Sequence, residues 1–241
     1  LYVARYPVTN RQYRSFIDFL SGKPLMFDTV LTLQSYKAAL DALVRSNDDA
    51  LKGFKEYLEQ ERDHAELFRS RLDDNRKYNK EHQPVVGVSW YAARAYCLWL
   101  SMLDGKLPEY RLPIEIEWEW AAGGKREESE KDKVQKTRKY PWGDNPEPTE
   151  KHANYKGNVG ATTDVGSYPD GATPEGLYDM AGNVWEWTNS WYDDDKDWRS
   201  LRGGSWNDSV GDLRCSARFF NDPVDWYGLI GFRVVRPSPF S

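Results

Sequence analysis

Hydrophobic positions near the start of the chain recur at helical spacing. In the segment YPVTNRQYRSFIDFL, Phe16, Phe19 and Leu20 lie three and four residues apart. Thr9 precedes this run, and Gln12 lies three residues after Thr9, which is the pattern of a capping box. The segment therefore predicts a strand end followed by a helix with Thr9 as its N-cap and these three side chains directed inward.

Two further helical patterns occupy a charged region, residues 24–82, that we call the insertion. Its apolar residues fall at Val30, Leu33, Leu40, Leu43 and Val44, and then at Leu51, Phe54, Leu58, Ala65, Phe68 and Leu72. These spacings of three, four and seven predict two amphipathic helices, separated near the sequence SNDD. We expect them to form a helical hairpin that leans on the main body with its charged face in water.

The remaining chain alternates short apolar runs with turn residues. The run VVGV at 85–88 predicts a short strand. Ser89 is a predicted N-cap of a helix that runs to about Met102, and Pro113 is predicted to lie in the first turn of another helix. The charge run at 125–139 predicts a solvated loop, and the recurring Gly, Pro and Asp after it predict turns and short strands. The sequence thus predicts one α+β domain over residues 1–241, with the insertion within it.

Composition removes several classes of protein. The 241 residues carry a net charge of −5, and basic and acidic residues are interspersed, which argues against nucleic-acid binding. No apolar run reaches the roughly 18 residues of a membrane span, and no signal peptide opens the chain, so the cytoplasm is slightly favoured although the compartment stays unknown. The chain starts within an apparent strand, which leaves room for a leader or further domains.

Seven short motifs, in order along the chain outside the insertion, resemble one known family. They are YPVTNRQY, PVVGVSWYAARAYC, YRLPIEIEWEWAA, YPWGDNP, GLYDMAGNVWEWTNSWY, LRGGSW and GFRVV. They are similar to the formylglycine-generating-enzyme, or sulfatase-modifying factor, family, whose members have a variant C-type lectin fold. The resemblance implies a C-type lectin fold of the formylglycine-generating-enzyme type, with the helical hairpin inserted in it. Fold alone does not determine function.

The chain departs from the catalytic pattern of that family. Family enzymes oxidise a substrate cysteine with two active-site cysteines that hold copper, just after the GGS motif. Here Asn207 and Asp208 lie in that region, and Cys215 matches a framework strand instead. Without a thiolate pair, soft Cu(I) has no site. The iron-dependent branch, which resembles the sulfoxide synthases of ergothioneine biosynthesis, needs clustered histidines, and the three here are scattered. We therefore expect a protein that is not an enzyme and requires no cofactor.

Residues 202–235, which we call the cassette, are the least regular part of the chain. RGGSW and GFRVV at its ends are typical of β-structure, but the residues between them follow no period of 2 or 3.6. The cassette is similar to that of the variable proteins of diversity-generating retroelements. In those proteins the DNA that encodes the cassette is rewritten at adenines of a template. Asn codons altered only at adenines cannot encode Lys, Glu, Gln or Met, and none of these occurs between Asn207 and Leu229.

The resemblance implies a variable surface that binds diverse ligands, and its mixture of aromatic and short polar groups is typical of protein recognition. The predicted ligand-binding residues are Asn207, Asp208, Ser209, Val210, Gly211, Asp212, Phe219, Phe220, Asn221, Asp222, Val224, Asp225, Tyr227, Gly228 and Leu229. Arg214, Arg218 and Arg233, as charges within apolar strands, are expected to find carboxylate or carbonyl partners and to brace the cassette. The structural alternative is an aromatic loop that packs on its own domain.

The motif GLYDMAGNVWEW resembles a calcium-binding loop of the lectin-like enzymes. Carried over, the resemblance implies possible Ca²⁺ ligands at Asp179, Gly182, Val184 and Glu186, which would offer hard oxygen donors. The alternative is that Asp179 and Glu186 bond to backbone amides and arginine side chains of neighbouring loops.

Two other functions stay open at this point. One is an oxidase or sulfatase modifier with a displaced active site, which bound copper or iron would favour. The other is a sensor or accessory domain of a larger protein, with the helical hairpin as the surface that docks a partner.

Overall fold

The computed structural model describes residues 1–25, 29–46, 48–105, 110–124 and 137–238. The helices are α1 (Asn10–Leu20), α2 (Leu33–Arg45), α3 (Phe54–Leu58), α4 (His64–Phe68), α5 (Trp90–Leu103) and α6 (Glu115–Gly123). The strands are β1 (Tyr2–Val3), β2 (Trp185–Trp191), β3 (Arg199–Arg202), β4 (Arg218–Asn221), β5 (Ile230–Gly231) and β6 (Val235–Arg236). Most of the charge run at 125–139, predicted as a solvated loop, lies outside the described residues.

The helices with sequence-predicted caps carry the centre of the core. Thr9 and Gln12 form the capping box of α1, and the Ser89 side chain accepts the Ala92 amide at the start of α5. Both predictions are confirmed. Helix α5 is buried on almost every side from Trp90 to Trp99, which is the pattern of a helix at the centre of a domain.

The main sheet has four strands in the order β4-β3-β2-β5. Its pairs are antiparallel except for β2 and β5, which run parallel. The register places Leu201 of β3 opposite both Trp187 of β2 and Phe219 of β4. Trp187 and Leu201 are fully buried, so this row extends from the core outward to the cassette. A separate antiparallel pair, β1 with β6, joins the N-terminal and C-terminal segments.

Two local predictions are wrong. Residues 85–88 are not a strand, because the left-handed Gly87 (φ 72°) interrupts any regular ladder; the amides of Val85 and Gly87 bond instead to the carbonyls of Val8 and Tyr227. Pro113 does not lie in a helical turn, since α6 begins two residues later at Glu115.

The insertion is helical but is not a simple hairpin. Helix α2 matches the first predicted helix, whereas the second is divided into a 3-10 turn at Asp49–Leu51, α3 and α4. Gly53 adopts φ 80°, and a Cβ there would lie 2.4 Å from the Tyr91 hydroxyl, so the chain turns at this point. Asp63 then caps the new helix α4 through the Ala65 amide.

The insertion is part of the main core and does not stand apart from it. Of the apolar residues that the spacing selected, Val30 is 97% exposed and the others are buried or half-buried, with Leu40, Phe54 and Phe68 at 0% exposure. Tyr36, which the spacing did not select, is also fully buried. The ring centroid of Phe16 in α1 lies 6.0 Å from both Tyr36 and Phe68. The periodicity therefore identified the inward face correctly even where the helix is interrupted.

Buried arginines fasten the sheet to its surroundings. Arg233 and Glu186 are both fully buried, and Arg233 Nε and Nη2 donate to the Glu186 carboxylate at 2.6 and 2.7 Å. Arg233 also donates to the carbonyls of Ala4 and Tyr178, which satisfies a charge that would be costly without partners. Of the three arginines expected inside strands, Arg218 begins β4 and pairs with Glu115, whereas Arg233 lies between β5 and β6 but finds the expected carboxylate and carbonyl partners. Arg214 is exposed and lies in no strand, because it follows the 3-10 turn.

Candidate ligand-binding site

The backbone of the cassette is held by hydrogen bonds to neighbouring segments. Gly204 adopts φ 74°, and a Cβ there would lie 2.8 Å from the Asp212 carbonyl oxygen, so a glycine is required for this close approach. The Trp206 amide donates to Asn183 O at 3.0 Å, and the Pro223 and Leu229 carbonyls accept the amides of two tryptophans outside the cassette, Trp90 and Trp185. These bonds involve main-chain atoms of the cassette, so its side chains can change without removing them.

Two arginines at the strands' ends attach this part of the sheet to α6. Arg202 is 1% exposed and pairs with Glu115 at 3.2 Å and with Glu119 at 2.7 Å. Arg218, which is more exposed, forms a bidentate contact with the same Glu115 at 2.5 and 2.8 Å. Because Glu115 accepts both guanidinium groups, β3, β4 and α6 are fixed relative to one another.

The structure places every predicted ligand-binding side chain at least partly in solvent. The exposed ones are Asn207, Ser209, Gly211, Phe219, Val224 and Tyr227. The half-buried ones are Asp208, Val210, Asp212, Phe220, Asn221, Asp222, Asp225, Gly228 and Leu229. Large apolar groups are among the most open, with Phe219 at 47%, Val224 at 42% and Tyr227 at 48% exposure. The structural alternative, an aromatic loop sealed against its own domain, would require these side chains to be buried.

An aromatic cluster surrounds Phe219 and Phe220. The Phe219 ring stacks on Trp185 with centroids 5.7 Å apart, and the Phe220 ring lies 4.6 Å from Tyr192 and 5.3 Å from Trp198. The two phenylalanine rings are themselves 5.4 Å apart. Flat side chains that are half exposed and laterally supported present area at low entropic cost.

Hydrogen bonds bring separate parts of the cassette together. The Trp206 indole N–H donates to Gly228 O at 3.0 Å, next to the turn that starts at Asn207. The Trp185 amide donates to Leu229 O at 2.8 Å while its ring contacts Phe219. Residues near 207, 219 and 228 therefore lie side by side around these two tryptophans, although they are distant in sequence.

Several predicted contact residues also shape the local backbone. The Asp208 carboxylate accepts the Ser205 amide at 3.0 Å and its hydroxyl, while Asp212 accepts the Ser209 amide and hydroxyl at 3.1 and 2.7 Å. These bonds are side-chain caps of the turn around the 3-10 helix. Substitution of these polar residues would therefore alter the turn as well as the surface.

Two cavities separate the cassette from the insertion, and sequence reasoning did not foresee them. One, of about 230 Å³, lies between the insertion residues Tyr57, Arg69 and Arg71 and the cassette residues Val224 and Trp226. The other, of about 480 Å³, is lined by Leu72 and Tyr78 of the insertion and by residues 225–228. Trp226, which is not among the predicted ligand-binding residues, is 44% exposed and lines both cavities.

The loop that resembles a calcium site is occupied by internal hydrogen bonds. Both Glu186 carboxylate oxygens accept from Arg233, and Oε2 also accepts the Trp118 indole N–H at 2.7 Å. The Asp179 carboxylate accepts the Gly166 amide at 2.7 Å, and burial raises its pKa to about 6 despite that bond. A guanidinium at Glu186 does not fit a Ca²⁺ site, and the arrangement matches the alternative stated for Asp179 and Glu186. The other two residues of the predicted site bond to each other, since the Val184 amide donates to the Gly182 carbonyl at 2.9 Å.

The cysteines are not arranged as a catalytic pair. Cys97 and Cys215 are both free and fully buried, and they belong to different apolar clusters. Burial raises the pKa of each thiol to about 12, so neither is a thiolate near neutral pH.

The histidines are equally separate. His64 packs on Phe68 in α4, and His152 stacks on Trp142. Across the described residues, no group of three His, Cys, Asp or Glu side chains could hold a metal ion. The helices in these same stretches are too short or too polar to span a membrane.

The curated proteins similar to this chain include both an inactive enzyme and an oxygenase. Inactive C-alpha-formylglycine-generating enzyme 2 of Bos taurus is 40% identical over 166 residues, which are 63% of this chain and 50% of that protein. The hercynine oxygenase of Mycobacterium tuberculosis is 36% identical over 175 residues, 64% of this chain and 36% of that protein. The chain spans 24% to 50% of the length of the first curated relatives that it matches.

A solved structure extends the comparison to the fold. Treponema denticola variable protein 1 superimposes with a TM-score of 0.55 and 27% identity, covering 65% of this chain and 72% of that one. The mixed helices and curled sheet are thus of the C-type-lectin-like, formylglycine-generating-enzyme type that the motifs predicted. The family model of the sulfatase-modifying factor enzyme 1-like domain matches residues 1–238. The chain therefore belongs to the sulfatase-modifying factor enzyme 1-like domain family.

Proposed function

We propose that this chain is a non-enzymatic ligand-binding protein whose cassette is the variable surface of a diversity-generating retroelement system. The single observation that carries the proposal is the exposure of Phe219, Val224 and Tyr227 on a backbone fixed by main-chain bonds. Such a surface separates recognition from folding, since contact side chains change while the frame stays. Its ligand is a protein, because half-exposed aromatic groups beside short polar ones suit protein recognition.

The likeness to Treponema denticola variable protein 1 and the adenine-compatible composition between Asn207 and Leu229 support the same proposal. The alternative is an oxidase-like enzyme, and the identity to hercynine oxygenase favours it. Elemental analysis of the purified protein separates the two, since stoichiometric iron or copper would support the enzyme and overturn the binding proposal.

The proposal is tested first by stability. Replacing Phe219, Val224 and Tyr227 together with alanine is expected to move the melting temperature by less than about 6 °C, because surface substitutions usually cost less than about 0.5 kcal/mol each and each kcal/mol lowers the melting temperature of such a domain by about 2 to 4 °C. Leu40→Ala serves as the control for a core position, since that side chain is fully buried. A triple variant that melts as early as the control would place the three residues in the core and refute the proposal.

Binding is tested by selection. A library with AAC-derived codons at Asn207, Phe219, Phe220, Val224 and Tyr227 is displayed on phage and selected against immobilised lysozyme and streptavidin. We expect specific binders to each target. A matched library at Val159, Ile114 and Ile116, which are exposed apolar positions outside the cassette, is expected to yield none. Equal success of the two libraries would refute a dedicated surface.

The flanking DNA provides an independent check. We expect a near-copy of the cassette sequence that differs at adenines, beside a reverse-transcriptase gene. A genome without such a copy would remove the retroelement from the proposal while leaving ligand binding to the selection experiment.

A further inference from the structure

The insertion provides a constant wall opposite the variable cassette, and the two cavities between them differ in character. The first cavity is lined by Tyr57, Gln60, Leu67, Arg69, Arg71, Gly87, Ser89, Ala92, Val224 and Trp226. The second is lined by Leu72, Tyr78, Asp225, Trp226, Tyr227 and Gly228. Trp226 lines both cavities, so a single extended ligand that occupies the two would contact its side chain.

The first cavity is positively charged in a protein that is acidic overall. Its ionisable lining groups are the guanidinium groups of Arg69 and Arg71, while the whole chain has a net charge of −5. Arg69 has a Glu66 carboxylate 3.5 Å away, but the two side chains are 41% and 58% exposed, and ion pairs this open to solvent contribute little. Within the described part of the chain, the Arg71 side chain forms no ion pair, and the Arg69 Nε is buried without a partner.

Backbone hydrogen bonds connect the main chain at Arg71 to the cassette. The Arg71 amide donates to Gly87 O at 2.9 Å, and the Gly87 amide donates to Tyr227 O at 3.1 Å. Ser89 Oγ donates to the Tyr57 hydroxyl, which donates to Leu67 O, so these two hydroxyl groups already have partners. The two guanidinium groups are the charged donors of the lining, and charged donors make the stronger hydrogen bonds to a carboxylate.

The size of the first cavity indicates what it accepts. Pockets for whole small molecules usually measure about 300 to 1,000 Å³. A volume of about 230 Å³ lies below that range and suits one side chain better than a cofactor. Together with two guanidinium groups and the apolar edge of Trp226, it fits the carboxylate of an Asp or Glu residue.

The second cavity is mainly apolar. Leu72, Tyr78 and Tyr227 supply carbon-rich walls, and a Cβ at Gly228 would lie 3.1 to 3.2 Å from Tyr78 and Leu72. A side chain larger than glycine at 228 would therefore project into this space. The cavity, at about 480 Å³, has ample room for an aromatic or aliphatic side chain of a bound peptide, and its apolar walls favour such a group.

We propose that the cleft between the insertion and the cassette binds a peptide segment that places an acidic side chain between Arg69 and Arg71 and an apolar side chain beside Tyr78. The inference rests on the proposed function, and it adds a fixed specificity to the variable surface. Val224, Asp225 and Tyr227 then vary one wall of the cleft, and the insertion selects acidic ligands from the other wall.

The test uses the whole chain and a phage-displayed library of random dodecapeptides. We expect enrichment of peptides with Asp or Glu near an aromatic or aliphatic residue. A synthetic selected peptide is then compared with its Glu→Gln or Asp→Asn form. Loss of a charged hydrogen-bonded contact is expected to weaken binding about tenfold to hundredfold.

Variants of the insertion identify the groups responsible. Arg69→Gln with Arg71→Gln is expected to weaken binding of the selected peptide by the same factor, and Arg69→Lys with Arg71→Lys to restore part of it, because charge is kept and the planar fork is lost. Lys55→Gln with Arg62→Gln is the matched control, since it removes the same charge from exposed positions that line neither cavity.

Each outcome has one reading. Peptides without acidic preference, no enriched peptides, or equal loss in the control variant would overturn the inference. Binding that depends on Phe219 and Tyr227 but not on the arginines would overturn it while leaving the proposed function intact. Binding that depends on the arginines and survives alanine substitution of the variable residues would support the cleft and refute the proposed function.

Discussion

Substitution of Glu186 by glutamine removes the charge at the centre of the buried ion pair. Glu186 and Arg233 have no solvent exposure, and the carboxylate accepts three hydrogen bonds, two from Arg233 and one from Trp118. Glutamine keeps one acceptor oxygen but directs an NH₂ group at these donors. Arg233 retains its bonds to Ala4 O and Tyr178 O but loses its counter-charge.

The expected cost follows from burial. Removing one partner of a buried pair usually costs about 3 to 5 kcal/mol. For a domain of this size, each kcal/mol lowers the melting temperature by about 2 to 4 °C, so a decrease of about 6 to 20 °C is expected. Since whole domains are stable by only about 5 to 15 kcal/mol, this one substitution removes much of the margin.

The free energy of unfolding is measured by urea denaturation at pH 7, with circular dichroism as the signal. Glu175→Gln is the control, because Glu175 also pairs with an arginine, Arg138 at 2.9 Å, but is 55% exposed. It is expected to cost less than about 1 kcal/mol. Equal effects of the two substitutions would refute the reasoning. Stabilisation of the parent by Ca²⁺, lost in Glu186→Gln, would show that Glu186 serves a cation instead of Arg233.

Three further predictions concern the frame and the insertion. Gly182→Ala is expected to destabilise the protein clearly more than Gly22→Ala. Both glycines have left-handed φ values, but a Cβ at position 182 would lie 2.4 Å from Asn154 O, whereas a Cβ at position 22 would meet open space. Equal losses of stability in thermal denaturation would contradict this. Leu40→Ala is expected to cost about 2 to 5 kcal/mol and to keep a single unfolding transition, because Leu40 is buried in the main core; a second transition in calorimetry would show that the insertion unfolds by itself. Burial lowers the pKa of His64 below the usual 6.5, so the unfolded chain binds the proton more readily and stability is lost as pH falls below about 6.5; His64→Gln is expected to flatten this part of the stability profile, and an unchanged profile would refute the assignment.

The parts of the fold that the sequence predicted are those fixed by local chemistry. Thr9 and Ser89 cap helices through neighbours three residues away, so the pattern is visible in a short segment. The inward face of the insertion was also predictable, because burial follows apolar spacing even where Gly53 interrupts the helix. The interruption itself depends on the Tyr91 hydroxyl, which is distant in sequence.

The candidate site was predictable only on the cassette side. The irregular order of apolar and polar residues in the cassette indicates that its side chains do not pack on one buried face. Arg69 and Arg71 lie in the insertion, where the apolar spacing predicts only which residues face the core. Their meeting with Trp226 is a tertiary contact between parts of the chain more than 150 residues apart. The sequence pattern around Trp226 does not reveal that its side chain is exposed.

Strand β4 forms the edge of the main sheet in the described part of the chain, with β3 on one side of it. Its other side offers open backbone groups, and Phe219 adds an exposed ring at the same place. Edge strands with apolar side chains pair readily with other chains. Substitutions that place further β-branched or aromatic residues along this strand are therefore expected to cause self-association before they cause unfolding, and the exposed Arg218 side chain opposes such pairing.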